Sequence, residues 1–172
     1  MPHSTDIHVF APDRLSWLGN AYRCALGRAG LTNSKREGDG ATPIGKFALR
    51  RVYFRPDRLG PVATDLPVAE LRPDDGWCDD PADAAYNRLV KLPFPASHEM
   101  LWRDDGLYDV IVELGYNDTP VVAGMGSAIF MHVARSDYGP TEGCVALQRG
   151  HLLSILAACG ADTFVEINYP PA

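Results

Sequence analysis

A histidine and a cysteine, His132 and Cys144, stand twelve positions apart in the C-terminal half of the chain. A cysteine attacks a carbonyl only as its thiolate, and a nearby imidazole can take the thiol proton. This pair therefore suffices for covalent acyl transfer if the fold brings it together. Gly143 precedes the cysteine, and a residue without a side chain lets a carbonyl approach the backbone amides of an oxyanion hole. For an arbitrary pair, a core cysteine and a structural histidine are the more common explanation, and the spacing alone does not decide between the two.

Two motifs in the chain resemble those of a known family. The segment Thr141–Val145 (TEGCV), with His132 upstream, resembles the active-site signature of the YkuD-type L,D-transpeptidases. The segment Asp39–Phe47 (DGATPIGKF) resembles the T-P-x-G-x-F sequence that leads into a strand of the same domains. Two motifs in the right order are more specific than either alone. The chain departs from the family pattern at Glu142 and Ala146, which indicates a divergent branch.

The resemblance implies a peptidoglycan L,D-transpeptidase that needs no metal or organic cofactor. The Cys144 thiolate would attack the carbonyl of an L-residue joined to a D-residue in a donor stem peptide, with His132 as the base. The amides of Gly143 and Cys144 would stabilise the oxyanion. An amine of an acceptor stem peptide would then resolve the thioester into a 3-3 or 1-3 cross-link.

Two alternatives to cross-linking stay open at this point. In an L,D-carboxypeptidase or endopeptidase, water would replace the acceptor amine and the stem peptide would be hydrolysed. In a non-catalytic peptidoglycan-binding module, the residues that differ from the family pattern would have cost the chain its activity.

Further polar residues are candidates for binding the substrate. Arg135 precedes the nucleophile, and its guanidinium can bind a stem-peptide carboxylate bidentately, while Tyr138 can hydrogen bond to the peptide amide. Thr141 and Glu142, directly before Gly143, belong to the same group of candidates.

A long insert separates the two motifs. Residues 55–103 are rich in Pro, Asp and Ala, which predicts a lid-like insert made of short turns, with a brief helix around 81–86. Tyr86 and Asn87 lie within this insert and are predicted to contact the substrate.

The 14 prolines and 16 glycines are spread along the chain and favour strands over a helical bundle. We predict one mainly β domain over residues 1–172, with the β-sandwich of the YkuD-type catalytic domain. One amphipathic helix is expected over 150–158, after the nucleophile, and a β-bulge near Arg50. The predicted strands are 7–10, 14–18, 21–26, 46–54, 107–115, 121–122, 128–133 and 163–167.

Charge and hydropathy exclude some partners. Sixteen Lys and Arg against 22 Asp and Glu give a net charge of -6, the wrong sign for neutralising nucleic-acid phosphates. No apolar stretch of the sequence approaches the roughly 18 residues of a membrane span, so we expect no membrane insertion. The four separated cysteines are expected to be free thiols. The N-terminus shows no Sec-type export signal. A reaction on peptidoglycan nevertheless predicts the periplasm or cell envelope as the location. The sequence does not indicate the oligomeric state.

Overall fold

The computed structural model describes residues 6–172, in which fourteen β-strands and one α-helix form. This confirms the prediction of a mainly β protein with one helix after the nucleophile. The helix, α1 (Arg149–Leu156), lies between the last two strands. The strands are β1 (Ile7–Phe10), β2 (Arg14–Trp17), β3 (Asn20–Arg23), β4 (Leu31–Thr32), β5 (Thr42–Pro43), β6 (Gly45–Phe54), β7 (Val68–Glu70), β8 (Asp75–Cys78), β9 (Leu89–Lys91), β10 (His98–Met100), β11 (Val110–Leu114), β12 (Phe130–Val133), β13 (Val145–Leu147) and β14 (Phe164–Asn168).

The main sheet has the strand order β13-β12-β11-β6-β14-β1-β2-β3, and β7 pairs with β6. The chain that leaves β3 reaches the opposite end of this sheet. There Ala25 and Ala146 exchange two backbone hydrogen bonds of 2.8 and 2.9 Å. The sheet is therefore curled until its two ends meet, which satisfies the backbone groups that an open edge would expose.

The predicted bulge near Arg50 is confirmed in the long strand β6. Arg51 pairs with Glu113 of β11 and Leu49 pairs with Leu114, so Arg50 is the extra residue between them. An extra residue shifts the alternation of side chains by one. Leu49 and Val52 can therefore both face the large core, although three positions separate them.

Alternation along the central strands divides the apolar residues between two cores, one on each face of the sheet. Val112 and Met131 belong to the larger core, which α1 covers, whereas Ile111 and Phe130 belong to the smaller one. A three-stranded sheet in the order β10-β8-β9 covers the smaller core. Its Trp77 ring meets the Phe130 ring edge to face at 5.0 Å between centroids. The insert thus supplies the second sheet layer.

Several details of the sequence prediction are wrong. The insert, predicted to consist of short turns, contains the four strands β7 to β10. Three further differences have a local cause. Residues 81–86 form turns instead of a helix, because the Asp80 and Asp83 carboxylates accept the amides two residues on, at 2.9 and 2.7 Å. Residues 121–122 are not a strand, since the Asn117 side chain bonds both the amide and the carbonyl of Val122. Leu18 lies in the turn after β2 with a φ of 46°.

One finding bears on membranes. Among the residues described, no helix combines the length and the apolar character of a membrane span.

We expect Ile155→Ala to lower the free energy of unfolding by about 2–5 kcal/mol, because it leaves a cavity in the larger core. Ile155 of α1 is fully buried there. Ser154, its exposed neighbour on the same helix, provides the control: Ser154→Ala should change stability by less than about 0.5 kcal/mol. Urea denaturation of both variants checks this. Equal effects would mean that α1 does not pack on the sheet as described.

Candidate active site

The register of two neighbouring parallel strands brings His132 and Cys144 to one cleft. His132 of β12 lies opposite Ala146 of β13, and Cys144 stands two residues before Ala146. Side chains two residues apart on a strand point to the same face of the sheet. The Phe130 amide donates a hydrogen bond to Cys144 Sγ at 3.4 Å, which ties the cysteine to β12. The imidazole and the thiol both line a cleft of about 470 Å³.

The hydrogen bonds of the two side chains locate their protons. His132 Nδ1 lies 2.9 Å from the carbonyl oxygen of Val133. A carbonyl can only accept, so Nδ1 carries the proton and Nε2 keeps its lone pair. The Cys144 thiol donates to the carbonyl of Ala128 at 3.2 Å. The ring therefore has the tautomer that a base needs, and the S–H must turn from Ala128 before its proton can pass to the ring.

Burial keeps both groups neutral at rest. It lowers the pKa of His132 to about 4 and raises the pKa of Cys144 to about 12. The Glu99 carboxylate also raises the pKa of Cys144, while the Phe130 amide and the Lys35 ammonium lower it. A thiolate at neutral pH must therefore form as the proton moves to a base, and it does not wait as a stable ion pair.

Thr141 holds the turn that presents the nucleophile. Its hydroxyl donates to the carbonyl of Cys144 at 2.7 Å and accepts the amide of Gly143 at 3.1 Å. Its backbone pairs with Leu26 and Arg28 on the neighbouring segment. Thr141 was predicted to bind the substrate; although it lines the cleft, its hydroxyl is engaged within the turn.

Position 143 requires a glycine because of its backbone conformation and the backbone that packs against it. Its φ is +142°, and a Cβ at this position would lie 2.7 Å from the carbonyl oxygen of Ala41. Ala41 belongs to the upstream motif, so the two motifs of the sequence touch here. The Gly143 amide is directed to Thr141, whereas an oxyanion donor must point into the cleft. The role that the structure gives to Gly143 is a close backbone approach.

The other predicted residues near the nucleophile separate into two groups. Arg135 and Glu142 are exposed and line the cleft, and Glu142 is ion-paired with Arg28. Tyr138 lies elsewhere: the Arg23 guanidinium stands 4.6 Å from the centre of its ring, and it lines a second, neighbouring cavity. The prediction that Tyr138 hydrogen bonds a peptide in the site is therefore corrected.

Tyr86 and Asn87 were also predicted to bind substrate, but neither is among the residues that line the cleft. The Asn87 side chain accepts from the Trp77 indole at 3.0 Å and from the Ala128 amide at 3.1 Å. Its NH₂ group donates to the carbonyls of Tyr116 and Asn117.

The Tyr86 hydroxyl donates to Glu37 and accepts the Gly126 amide. These two residues hold the 126–128 loop that meets the thiol.

Several polar residues of the cleft were missed as candidates. Lys35 and Glu37 come from the loop before the upstream motif, where no local pattern marks a site. The others come from the insert, which was predicted to resemble a lid. The insert residues that line the cleft include Asp79, His98, Glu99 and Arg103.

A comparison with known families identifies the family of the chain. The YkuD family, described as the L,D-transpeptidase catalytic domain, matches residues 4–167, and the chain belongs to this family. The resemblance stated from the two motifs is thus confirmed.

One solved structure is similar, the helical cell shape determining protein Pgp2 from Campylobacter jejuni. It is 15% identical, with a TM-score of 0.47 over 97% of this chain and 48% of that chain. The chain therefore spans about half the length of that protein. No curated protein matches significantly.

Asn87→Ala should lower the free energy of unfolding by about 2–4 kcal/mol, because it leaves the Trp77 indole and the Ala128 amide without their buried acceptor. The exposed Asn33 is the control, and Asn33→Ala should cost less than about 0.5 kcal/mol. Denaturant titration measures both values. A similar small cost for the two variants would contradict the supporting role of Asn87.

The lowered pKa of His132 predicts a specific pH dependence of stability. Between the ordinary value of 6.5 and the folded value of about 4, the unfolded chain binds one proton more at this residue. Stability should therefore fall as the pH drops through this window, by up to about 3 kcal/mol from this group. Unfolding of the protein and of His132→Gln is compared at pH 7 and pH 4. Parallel losses would show that His132 does not carry the effect.

Proposed function

We propose that this protein is a peptidoglycan L,D-transpeptidase with Cys144 as its nucleophile and His132 as its general base. One observation carries the proposal: the two side chains line the same cleft, His132 from β12 and Cys144 from the position directly before the parallel strand β13, and Nε2 of the ring is unprotonated. Membership of the YkuD family supports the class of reaction.

The first half-reaction forms a thioester. As the thiol turns from Ala128, its proton passes to His132 Nε2, and Sγ bonds to the carbonyl carbon of the L-residue in the donor peptide. The carbonyl π electrons move to oxygen and then return. The bond to the D-residue nitrogen breaks, and that nitrogen takes the proton from Nε2. The ring is neutral again, ready for the second half.

The second half-reaction transfers the acyl group to an acceptor stem peptide. Its amine loses a proton to Nε2 as the nitrogen attacks the thioester carbon, and the departing sulfur regains that proton. The cleft has charges of both signs, including Glu99 and Arg135, as ligands that carry amines and carboxylates require. The donor bond would lie at the third or first stem position, and no metal or organic cofactor takes part.

The setting follows from the proposed substrate. Stem peptides as donor and acceptor place the reaction in the cell envelope, and in the periplasm where the cell has one. This location is part of the proposal, as is the exclusion of nucleic acid as a partner.

Incubation of the protein with purified muropeptides tests the proposal by mass spectrometry. We expect new cross-linked dimers, none with Cys144→Ala, and a rate lowered about 10²–10⁴-fold in His132→Gln, which lacks the base. Cys159 is a matched control, since its buried thiol also donates to a backbone carbonyl, that of Ile155. Cys159→Ala should form dimers at the wild-type rate.

Two results would replace the proposal with an alternative. Shortened monomers without dimers would identify a carboxypeptidase or endopeptidase. Unchanged muropeptides that nevertheless bind the protein would identify a binding module.

A further inference from the structure

Lys35 differs from the two other lysines of the chain. Lys46 and Lys91 have side chains 51% and 59% exposed and form surface ion pairs. The Lys35 side chain is only 5% exposed and lines the cleft that contains Cys144. A charged group is rarely buried to this extent without a partner, because it loses most of its hydration.

The partners of Lys35 hold its ammonium in place. Of its three N–H groups, one donates to the carbonyl of Arg36 at 2.9 Å and another to the carboxylate of Asp39. The Asp39 carboxylate also accepts the amides of Arg36 and Ala41, at 2.8 and 2.9 Å. Burial raises the pKa of Asp39, but these hydrogen bonds outweigh it and keep the pKa below its usual value. Two of the three N–H groups are thus engaged, and the side chain that carries the ammonium lines the cleft.

The charge of Lys35 acts at the nucleophile. Its side chain packs against Gly126, where an added Cβ would lie 3.0 Å from Lys35 Cγ. Gly126 stands two residues before Ala128, whose carbonyl accepts the thiol. The Lys35 charge also lowers the pKa of Cys144 against the effects of burial and Glu99. Lys35 and Cys144 also line the same cleft, which the oxygen of an acyl group on Sγ would enter.

One of the two amides predicted to stabilise the oxyanion is engaged, so a further donor would act beside the Cys144 amide. The Gly143 amide bonds to the Thr141 hydroxyl within the turn. We propose that the Lys35 ammonium is a further catalytic residue, which donates a hydrogen bond to the substrate carbonyl oxygen as Cys144 adds to the carbon. This inference rests on the proposed function, which supplies the acyl substrate.

The electron balance of this step is simple. Sγ forms its bond to the carbonyl carbon, the π pair moves to oxygen, and the thiol proton goes to His132 Nε2. Lys35 keeps its proton and only shares it with the oxyanion, and the hydrogen bond weakens when the carbonyl forms again. A preorganised charged donor in a partly enclosed cleft stabilises this charge more than water does.

The test compares two reactions of Cys144 that differ in the oxyanion. Acylation by a stem tetrapeptide passes through an oxyanion, and the thioester is followed by mass spectrometry in a single turnover. Alkylation by iodoacetamide displaces iodide and forms no oxyanion. In Lys35→Met we expect acylation to slow about 10²–10³-fold. Alkylation should slow less than about tenfold, because only the effect of Lys35 on the thiol is lost.

Two further variants make the test robust. Lys91→Met removes a lysine that pairs with Asp74 and Asp75 outside the cleft, and both reactions should keep their wild-type rates. Lys35→Met leaves Asp39 without its cation, so the charge-balanced double variant Lys35→Met/Asp39→Asn is measured beside it. In the double variant, acylation should remain slow while the melting temperature returns towards the wild-type value.

Four results would overturn the inference. Equal losses in acylation and alkylation would place the effect of Lys35 on the thiol alone. An increase in KM with unchanged kcat, seen only for donors with a free terminal carboxylate, would make Lys35 a substrate anchor. Wild-type acylation rates in either Lys35 variant would exclude Lys35 as an oxyanion donor and leave the proposed function unaffected. A wild-type protein that forms no thioester would overturn both the proposed function and the role of Lys35.

Discussion

The parallel pairing of β12 with β13 is the constraint on which the site depends. Only one register places Cys144 beside the Phe130 amide and on the same face as His132. A shift of one residue would move every side chain of β13 to the other face and send the thiol into the larger core. The curled sheet stabilises this register from the outer edge, where the backbone of Ala25 pairs with Ala146.

The site combines burial with a small number of fixed charges. Burial makes the thiol and the imidazole neutral, so the chemistry starts from an uncharged pair and must stabilise the charges that it creates. Lys35 and Glu99 act on the same sulfur with opposite signs. Because the sulfur is buried, both act more strongly than on the surface, and their balance affects how readily the sulfur becomes a nucleophile.

The insert contributes to both stability and the site. Its small sheet covers the second core through Trp77, and Asn87 links that indole to the amide of Ala128. The carbonyl of the same residue, Ala128, accepts the thiol. Glu99 and Arg103 extend the insert along the cleft wall. A segment that resembled a lid is therefore also a structural layer, which positions the loop beneath the nucleophile.

The sequence by itself determined the family, the mainly β character, the helix after the nucleophile and the bulge at Arg50, because motif residues and local periodicity are properties of neighbouring positions. The tertiary structure alone decided which polar residues reach the cleft. Asn87 was predicted to contact the substrate and is a buried support, whereas Lys35 was not a candidate and lines the site. These roles depend on contacts between segments distant in the chain, as when Gly143 meets Ala41, and no local pattern records such contacts.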